Sequence, residues 1–260
     1  MVYTFDLKDK IILVTGGYGH LGKAIVESLA FHNAKVYVLA RNEHKYKKAF
    51  KDSKFQHNIA FISCDIEKHE SFEIAFEEIF QIERKIDVLV NNAYFMKGQS
   101  PELMSNEDFN YGIDGTLNCV FRAIKAIIPY FKKSKSGKII NLASMYGIVA
   151  PQFEVYEETP QFLNPPHYGA AKAGIIQLTK YYASYLGKSN INVNCVAPGP
   201  FPSLEVQKSK VFIEQLEKKT SLNRIGKPED LGGVFVFLAS DSSNYITGQQ
   251  FVVDGGWTTR

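Results

Sequence analysis

Seven short apolar runs alternate along the chain with stretches of helical periodicity, and this alternation constrains the fold more than any other feature. The runs are residues 11–15, 35–40, 59–64, 86–91, 138–143, 191–197 and 250–253. Most are apolar nearly throughout rather than at every second position, the pattern of strands covered on both faces. Between them, residues 21–32, 43–52, 69–83, 105–132, 169–187 and 228–239 place apolar side chains at helical spacing. Strand and helix in turn predict an α/β, doubly wound parallel sheet of about seven strands with helices on both faces. Ligands of such sheets bind at the carboxyl ends of the strands, so the residues that end strands are the ones to inspect.

No Pro/Gly/Ser-rich linker, low-complexity run or internal repeat divides the 260 residues, which predicts a single domain over 1–260. A net charge of +3 with scattered lysines makes no basic stripe for nucleic acid. The start, MVYTFDLKDK, lacks the apolar stretch of a signal peptide, and no segment is long enough to span a bilayer. Cys64, Cys119 and Cys195 are odd in number, far apart and each in apolar surroundings. Free buried thiols in a reducing compartment fit them better than disulfides or metal ligands. A cytoplasmic chain without membrane, nucleic-acid or metal partners is expected.

"TGGYGHLG", residues 15 to 22, joins the first strand to the first helix. Gly17, Gly19 and Gly22 fit G-x-G-x-x-G in the strand-turn-helix context that gives this motif its meaning. Glycines there allow a tight turn, close approach of a diphosphate to the backbone and close helix–sheet packing, with free N–H groups facing the anion. A dinucleotide on a Rossmann sheet is the expectation, against a glycine-rich turn without ligand.

From about Leu7 to Trp257 the chain resembles the short-chain dehydrogenase/reductases. Members of this length usually carry T-G-x-x-x-G-x-G, whose middle glycine falls on His20. The spacing Thr15-Gly16-x-x-Gly19-x-x-Gly22 resembles instead the longer, sugar-nucleotide-modifying branch. His20 is therefore expected as an exposed first-turn residue. The resemblance extends to "CDIEK", "NNAY", "VAPGP" and the C-terminal stretch 224–257, "RIGKPEDLGGVFVFLASDSSNYITGQQFVVDGGW". It implies cofactor contacts from Gly16, Tyr18, Gly19, His20, Leu21 and Gly22 in the first turn. Asp65 with Ile66 is implied at the adenine, Asn92 and Ala93 after the fourth strand, and Pro198 and Gly199 beside the nicotinamide.

Cofactor choice is read at the end of the second strand, "VLARN". An acid there would hydrogen-bond the ribose hydroxyls of NAD and repel a 2′-phosphate. Here Ala40 takes that place and Arg41 follows, a guanidinium suited to a phosphate. NADP(H) is favoured, with NAD(H) as second choice; otherwise Arg41 points to solvent or stacks on adenine.

"YGAAK" puts Tyr168 and Lys172 at i and i+4, a spacing of these two types that occurs once in the chain. It follows "NLAS", whose Ser144 ends a strand. The resemblance implies that Tyr168 transfers the proton, Lys172 favours the phenolate and holds the nicotinamide ribose, and Ser144 positions the substrate oxygen. Free tyrosine, with a pKa of ~10, needs such a neighbour for general-base work near neutrality. The family's fourth residue, an asparagine that anchors a relay water, is replaced by Thr116, and Asn118 lies two residues on. Tyr94 replaces a glycine in the same cleft.

Between Ser144 and Tyr168 the loop 145–167 is longer than in most relatives and carries Tyr146, Phe153, Tyr156 and Phe162 with three glutamates and four prolines. Loops of this length in compact domains are functional or disordered; it is expected as a substrate-side wall, in preference to a subunit contact. The expected activity is hydride transfer between nicotinamide and a secondary alcohol or ketone. A softer resemblance to members from flagellin-modification and surface-glycan gene clusters suggests a sugar-derived small-molecule substrate. The family habit of pairing helices implies a homodimer or homotetramer. The alternative is a catalytically weak nucleotide-sensing binding protein, which Thr116 and Tyr94 raise and the retained Ser144, Tyr168 and Lys172 oppose.

Overall fold

In the computed structural model, which describes residues 5–98 and 100–259, seven parallel strands form one sheet. They are β1 (Ile11–Thr15), β2 (Lys35–Ala40), β3 (Ile59–Ser63), β4 (Val88–Asn91), β5 (Gly137–Leu142), β6 (Ile191–Pro198) and β7 (Gln250–Val253). Their spatial order is β3-β2-β1-β4-β5-β6-β7, so the winding reverses between β1 and β4. Val14 lies opposite Val38 on one side and Val90 on the other, with all three fully buried. Central strands buried on both faces explain why their sequences do not alternate.

The sheet is covered by helices α1 (His20–Phe31), α2 (Glu43–Phe50), α3 (His69–Glu83), α4 (Asn106–Ile113), α5 (Cys119–Ser134), α6 (Pro166–Leu186), α7 (Lys210–Lys219) and α8 (Gly232–Ala239). One core joins the sheet to α3, α5 and α6 through side chains such as Phe76, Ile124 and Ile175. The opposite core joins it to α1, α2 and α8 through Ile25, Phe50 and Phe235. A third cluster lies off the sheet, where Met145, Val155 and Tyr156 pack on Phe212 and Leu216 of α7 and on Trp257.

Three expectations are corrected. The single helix over 105–132 is instead α4 and α5 joined by a π-turn, Asp114–Asn118. There Arg122 reaches back one extra turn to Asp114 with two hydrogen bonds, 2.8 and 3.0 Å. At Gly115 a Cβ would come within 2.0 Å of the Phe95 carbonyl, so only glycine lets this bulged turn sit so close. Second, α6 begins at Pro166, three residues earlier than expected, because proline is well placed in a first turn. Third, α7 has no counterpart among the expected helices. It buries only Phe212 and Leu216 among charged residues, too narrow a stripe to register as a periodic face.

The α4–α6 contact places the site helix. His167 is fully buried immediately before Tyr168, and its Nε2 lies 2.8 Å from the Lys97 carbonyl. A Cβ at Gly112 would fall 2.3 Å from the His167 ring, which has no room to retreat. Gly112→Ala should therefore destabilise the protein by about 1–3 kcal/mol through overpacking, read as a lowered midpoint in urea melts.

Candidate active site

The ends of β1 and β4 meet at the reversal and are locked by Thr15. Its Oγ1 accepts the N–H groups of Asn92 and Ala93, each at 3.0 Å. Asn92 in turn donates its amide to the carbonyls of Thr15 (2.9 Å) and Gly16 (3.2 Å). Gly16 takes φ +63°, and a Cβ at Gly22 would lie 2.4 Å from the Gly16 carbonyl. The turn closes only around glycines at these two places. Gly17, by contrast, faces Val26 and Val38 in the core.

This turn opens into a cleft of about 560 Å³. Gly16, Tyr18, Gly19, His20, Leu21 and Gly22 line one side, Arg41 and Ile66 the far end, and Asn92, Ala93, Pro198 and Gly199 the floor and rim. Ser144, Tyr168 and Lys172 share the same cleft. Helix α1 has neither a side-chain cap nor an acidic residue in its first turn. Its leading N–H groups and positive dipole end are thus free for an anion. These features fit the diphosphate of a dinucleotide, and none of them requires a metal.

Two residues sit apart from the cleft lining. Asp65 turns its carboxylate into its own loop, accepting the Glu67 N–H at 3.2 Å, while Ile66 faces the cleft. Thr116, on the π-turn, is 1% exposed, and its hydroxyl has no partner among the described residues. Asn118 is exposed and donates to Asp114 at 3.1 Å. His20 opens α1 but is half-buried rather than exposed, with Nε2 enclosed against the 201–202 backbone; burial lowers its pKa.

Sequence reasoning had left Leu39, Cys64, Phe95, Leu142, Ala143, Phe201, Ser203 and Val206 out of the cofactor set, although each lines the cleft. Apolar strand-end residues carry no motif, so only the tertiary structure reveals them. Glu67 was also missed. Its Oε1 stands 3.1 Å from the Arg41 guanidinium, bringing a carboxylate from the β3–α3 turn to the end of β2. All three cysteines are free and buried.

At the chemical end, Ser144 leaves β5 in extended conformation, and its Oγ accepts the Tyr146 N–H at 3.2 Å. That leaves the hydroxyl proton of Ser144 to donate. Lys172 is 3% exposed and donates to the Leu142 carbonyl at 2.6 Å. Its Nζ lies 5.5 Å from the ring centres of both Tyr94 and Tyr168, which are 5.8 Å apart. Burial pulls the Lys172 ammonium down to about 8. Burial likewise pushes the Tyr168 phenol above its ordinary value, while its hydrogen bond with Ser144 acts in the opposite direction. A hydroxyl donor, a phenol and a cation therefore converge where a carbonyl oxygen would need a proton and a stabilised counter-charge.

The sequence matches a family model described as enoyl-(acyl carrier protein) reductase over residues 19–258. It is 33% identical over 256 residues to a 3-oxoacyl-[acyl-carrier-protein] reductase FabG of Chlamydia muridarum, covering 96% of this chain and 98% of that protein. The chain belongs to the short-chain dehydrogenase/reductase family. Post-translational flagellin modification protein A of Campylobacter coli is 33% identical over 258 residues, 96% of this chain and 99% of the relative. Among solved structures, the RhlG/NADP active-site complex of Pseudomonas aeruginosa superposes with a TM-score of 0.88 at 26% identity, covering 99% of both chains. A short-chain dehydrogenase from Leptospira borgpetersenii with bound NAD+ superposes at 0.86 with 31% identity, over 99% of this chain and 97% of that one. Family membership makes the chain an oxidoreductase of the class that acts on CH–OH and keto groups. Among the described residues no helix is long and apolar enough to cross a membrane.

The buried ammonium gives a pH signature. Lys172 holds its proton to about 8 in the folded chain and to about 10.5 when unfolded. Between these values the unfolded state binds more protons, so stability rises with pH across that window. Urea melts of wild type and Lys172→Met at several pH values should show the wild type gaining on the variant from pH about 8 to 10.5.

Proposed function

We propose that the chain is an NADP(H)-preferring oxidoreductase that interconverts a secondary alcohol and its ketone. The convergence of Ser144, Tyr168 and Lys172 in one cleft with the glycine turn carries this reading. Gly16, Gly19, Leu21 and Gly22 would hold the diphosphate against the start of α1, with Tyr18, His20, Asn92, Ala93, Pro198 and Gly199 enclosing the rest. When bound, the nicotinamide supplies or accepts the hydride.

The residues handle the proton. In the reductive direction Ser144 donates a hydrogen bond to the carbonyl oxygen and orients it. Tyr168 delivers its phenolic proton to that oxygen, and the Lys172 ammonium stabilises the phenolate left behind. With an affinity for protons centred near pH 8, Lys172 is cationic at neutrality. Thr116 takes the place of the family's relay asparagine, and its unpartnered buried hydroxyl is suited to hold a water behind Lys172. Exposed Phe121 on α5 and Tyr181 and Tyr185 on α6 support assembly of like chains across these two helices, as a homodimer or homotetramer. A sensing protein without turnover would have no need of a desolvated lysine beside a tyrosine and a serine.

The cofactor reading rests on Arg41, whose side chain is 65% exposed and free to turn toward a 2′-phosphate. An exposed ion pair with Glu67 holds it only weakly. Glu67 supports the second reading, NAD(H), because its carboxylate can accept ribose hydroxyls from the same spot.

Tyr168→Phe should remove nearly all turnover while nucleotide binding, followed by fluorescence of the reduced cofactor, stays near wild type. Near-full turnover of the variant would sink the mechanism. In binding titrations, Arg41→Ala should weaken NADPH by about 1–3 kcal/mol and spare NADH. Glu67→Gln should shift preference further toward NADPH; tighter NADH than NADPH binding by the wild type would reverse the assignment.

A further inference from the structure

The loop 145–167 contributes two tyrosines that the proton chemistry does not use. Tyr146 and Tyr156 share a hydrogen bond of 2.6 Å between their hydroxyls. Tyr156 is 5% exposed, whereas Tyr146, two residues beyond Ser144, is only half-buried. Tyr146 also meets Trp257 edge-on, ring centres 6.5 Å apart. The indole is 1% exposed, and its Nε1–H has no partner among the described residues. Thr159, next in the same loop and 5% exposed, likewise leaves its hydroxyl unpartnered.

Buried donors and acceptors without partners are rare in native proteins and call for an explanation. Here several gather in one small cluster whose bodies are apolar and aromatic and whose tips are polar. The cluster stands beside the reacting group, since Tyr156 and Tyr168 raise each other's resistance to ionisation through space, as Tyr168 does for Tyr146. One proton of the tyrosine pair is committed to their mutual bond, which leaves one O–H and free lone pairs for a ligand.

We infer that Tyr146, Tyr156 and Trp257 form a subsite for the hydroxyl groups of a polyhydroxylated, carbohydrate-like substrate held next to Tyr168. The inference rests on the oxidoreductase reading above and narrows its substrate class. The hydroxyl pair receives a vicinal hydroxyl, the indole N–H donates to a second, and the ring faces cover the carbon skeleton. A simple acyl ketone has nothing to offer these donors and leaves them unpaired, which discriminates against it.

The test compares cyclohexanone with pentahydroxycyclohexanone, two ketones of one ring that differ only in hydroxylation, each reduced with NADPH. The ratio of kcat/KM for the hydroxylated over the plain ketone should favour the hydroxylated one. Tyr156→Phe should lower that ratio about five- to tenfold, the loss of one hydrogen bond, mainly through KM. Tyr146→Phe, at a half-buried position that tolerates change, should do the same, with melting temperatures confirming that both variants fold. An unchanged ratio in folded variants overturns the subsite even where both rates fall together, since a merely structural role acts on both ketones alike. A wild type that reduces plain ketones but shows no preference overturns it as well, leaving the oxidoreductase reading standing. If neither ketone is reduced and NADPH does not bind, that reading falls, and the subsite with it.

Discussion

One hydroxyl holds the molecule's working end together. Thr15 Oγ1 receives two backbone N–H groups from the start of the segment after β4, at the point where the winding of the sheet reverses. A parallel sheet must part its connections somewhere, and the crevice so made leaves backbone groups without strand partners. Thr15 and Asn92 satisfy them with side chains. Because they do, Gly16 and Gly22 can approach so closely that the start of α1 is left bare toward the cleft. The glycines are thus the complement of a polar lock, and neither would hold the crevice open alone.

The same economy of buried polar groups runs under the chemical end. Asn91 donates to Asn141 at 2.9 Å, and Asn141 to Thr179 on α6 at 2.9 Å, tying β4, β5 and the site helix through the interior. Such a chain is worth having only when its members are paired, since unpaired ones are penalised by several kcal/mol in an apolar setting. It fixes α6 against β5 at the level where Lys172 reaches the Leu142 carbonyl. The lysine gains one short hydrogen bond and two aromatic neighbours in place of water, an incomplete exchange that its lowered proton affinity records. Strain of this kind, tolerated because the surroundings are rigid, is what a general acid–base site requires.

Much of this was legible in the sequence, and the exceptions share a cause. Strands β1, β2 and β7 fall on the expected residues, because buried parallel strands are continuous apolar runs between turn residues. Tyr168, Lys172, Ser144 and the glycine turn meet in one cleft because each is fixed by a strand end or a helix start, positions that pattern reveals. The π-turn escaped because it depends on Arg122 and Gly115 meeting Asp114 and Phe95, contacts without periodicity. Glu67 escaped for a related reason: Ala40 was read as the absence of an acid, but a neighbouring turn supplies one through space. Helix α7 escaped because two buried residues in ten do not make a stripe. Local pattern conveys what packs against the sheet, and long-range pairing conveys what faces the ligand.

The off-sheet cluster has a consequence for how the molecule breathes. Met145, Val155, Tyr156, Phe212, Leu216 and Trp257 belong to neither of the cores that flank the sheet. Proteins open in cooperative pieces, and a piece with its own small core can come loose while the larger ones stay closed. The segment from Met145 to Leu163, with α7, is such a piece. Its amides therefore exchange with solvent through an opening of their own, shallower than that of the strands, and the scaffold that moves the proton outlasts the wall that selects the substrate.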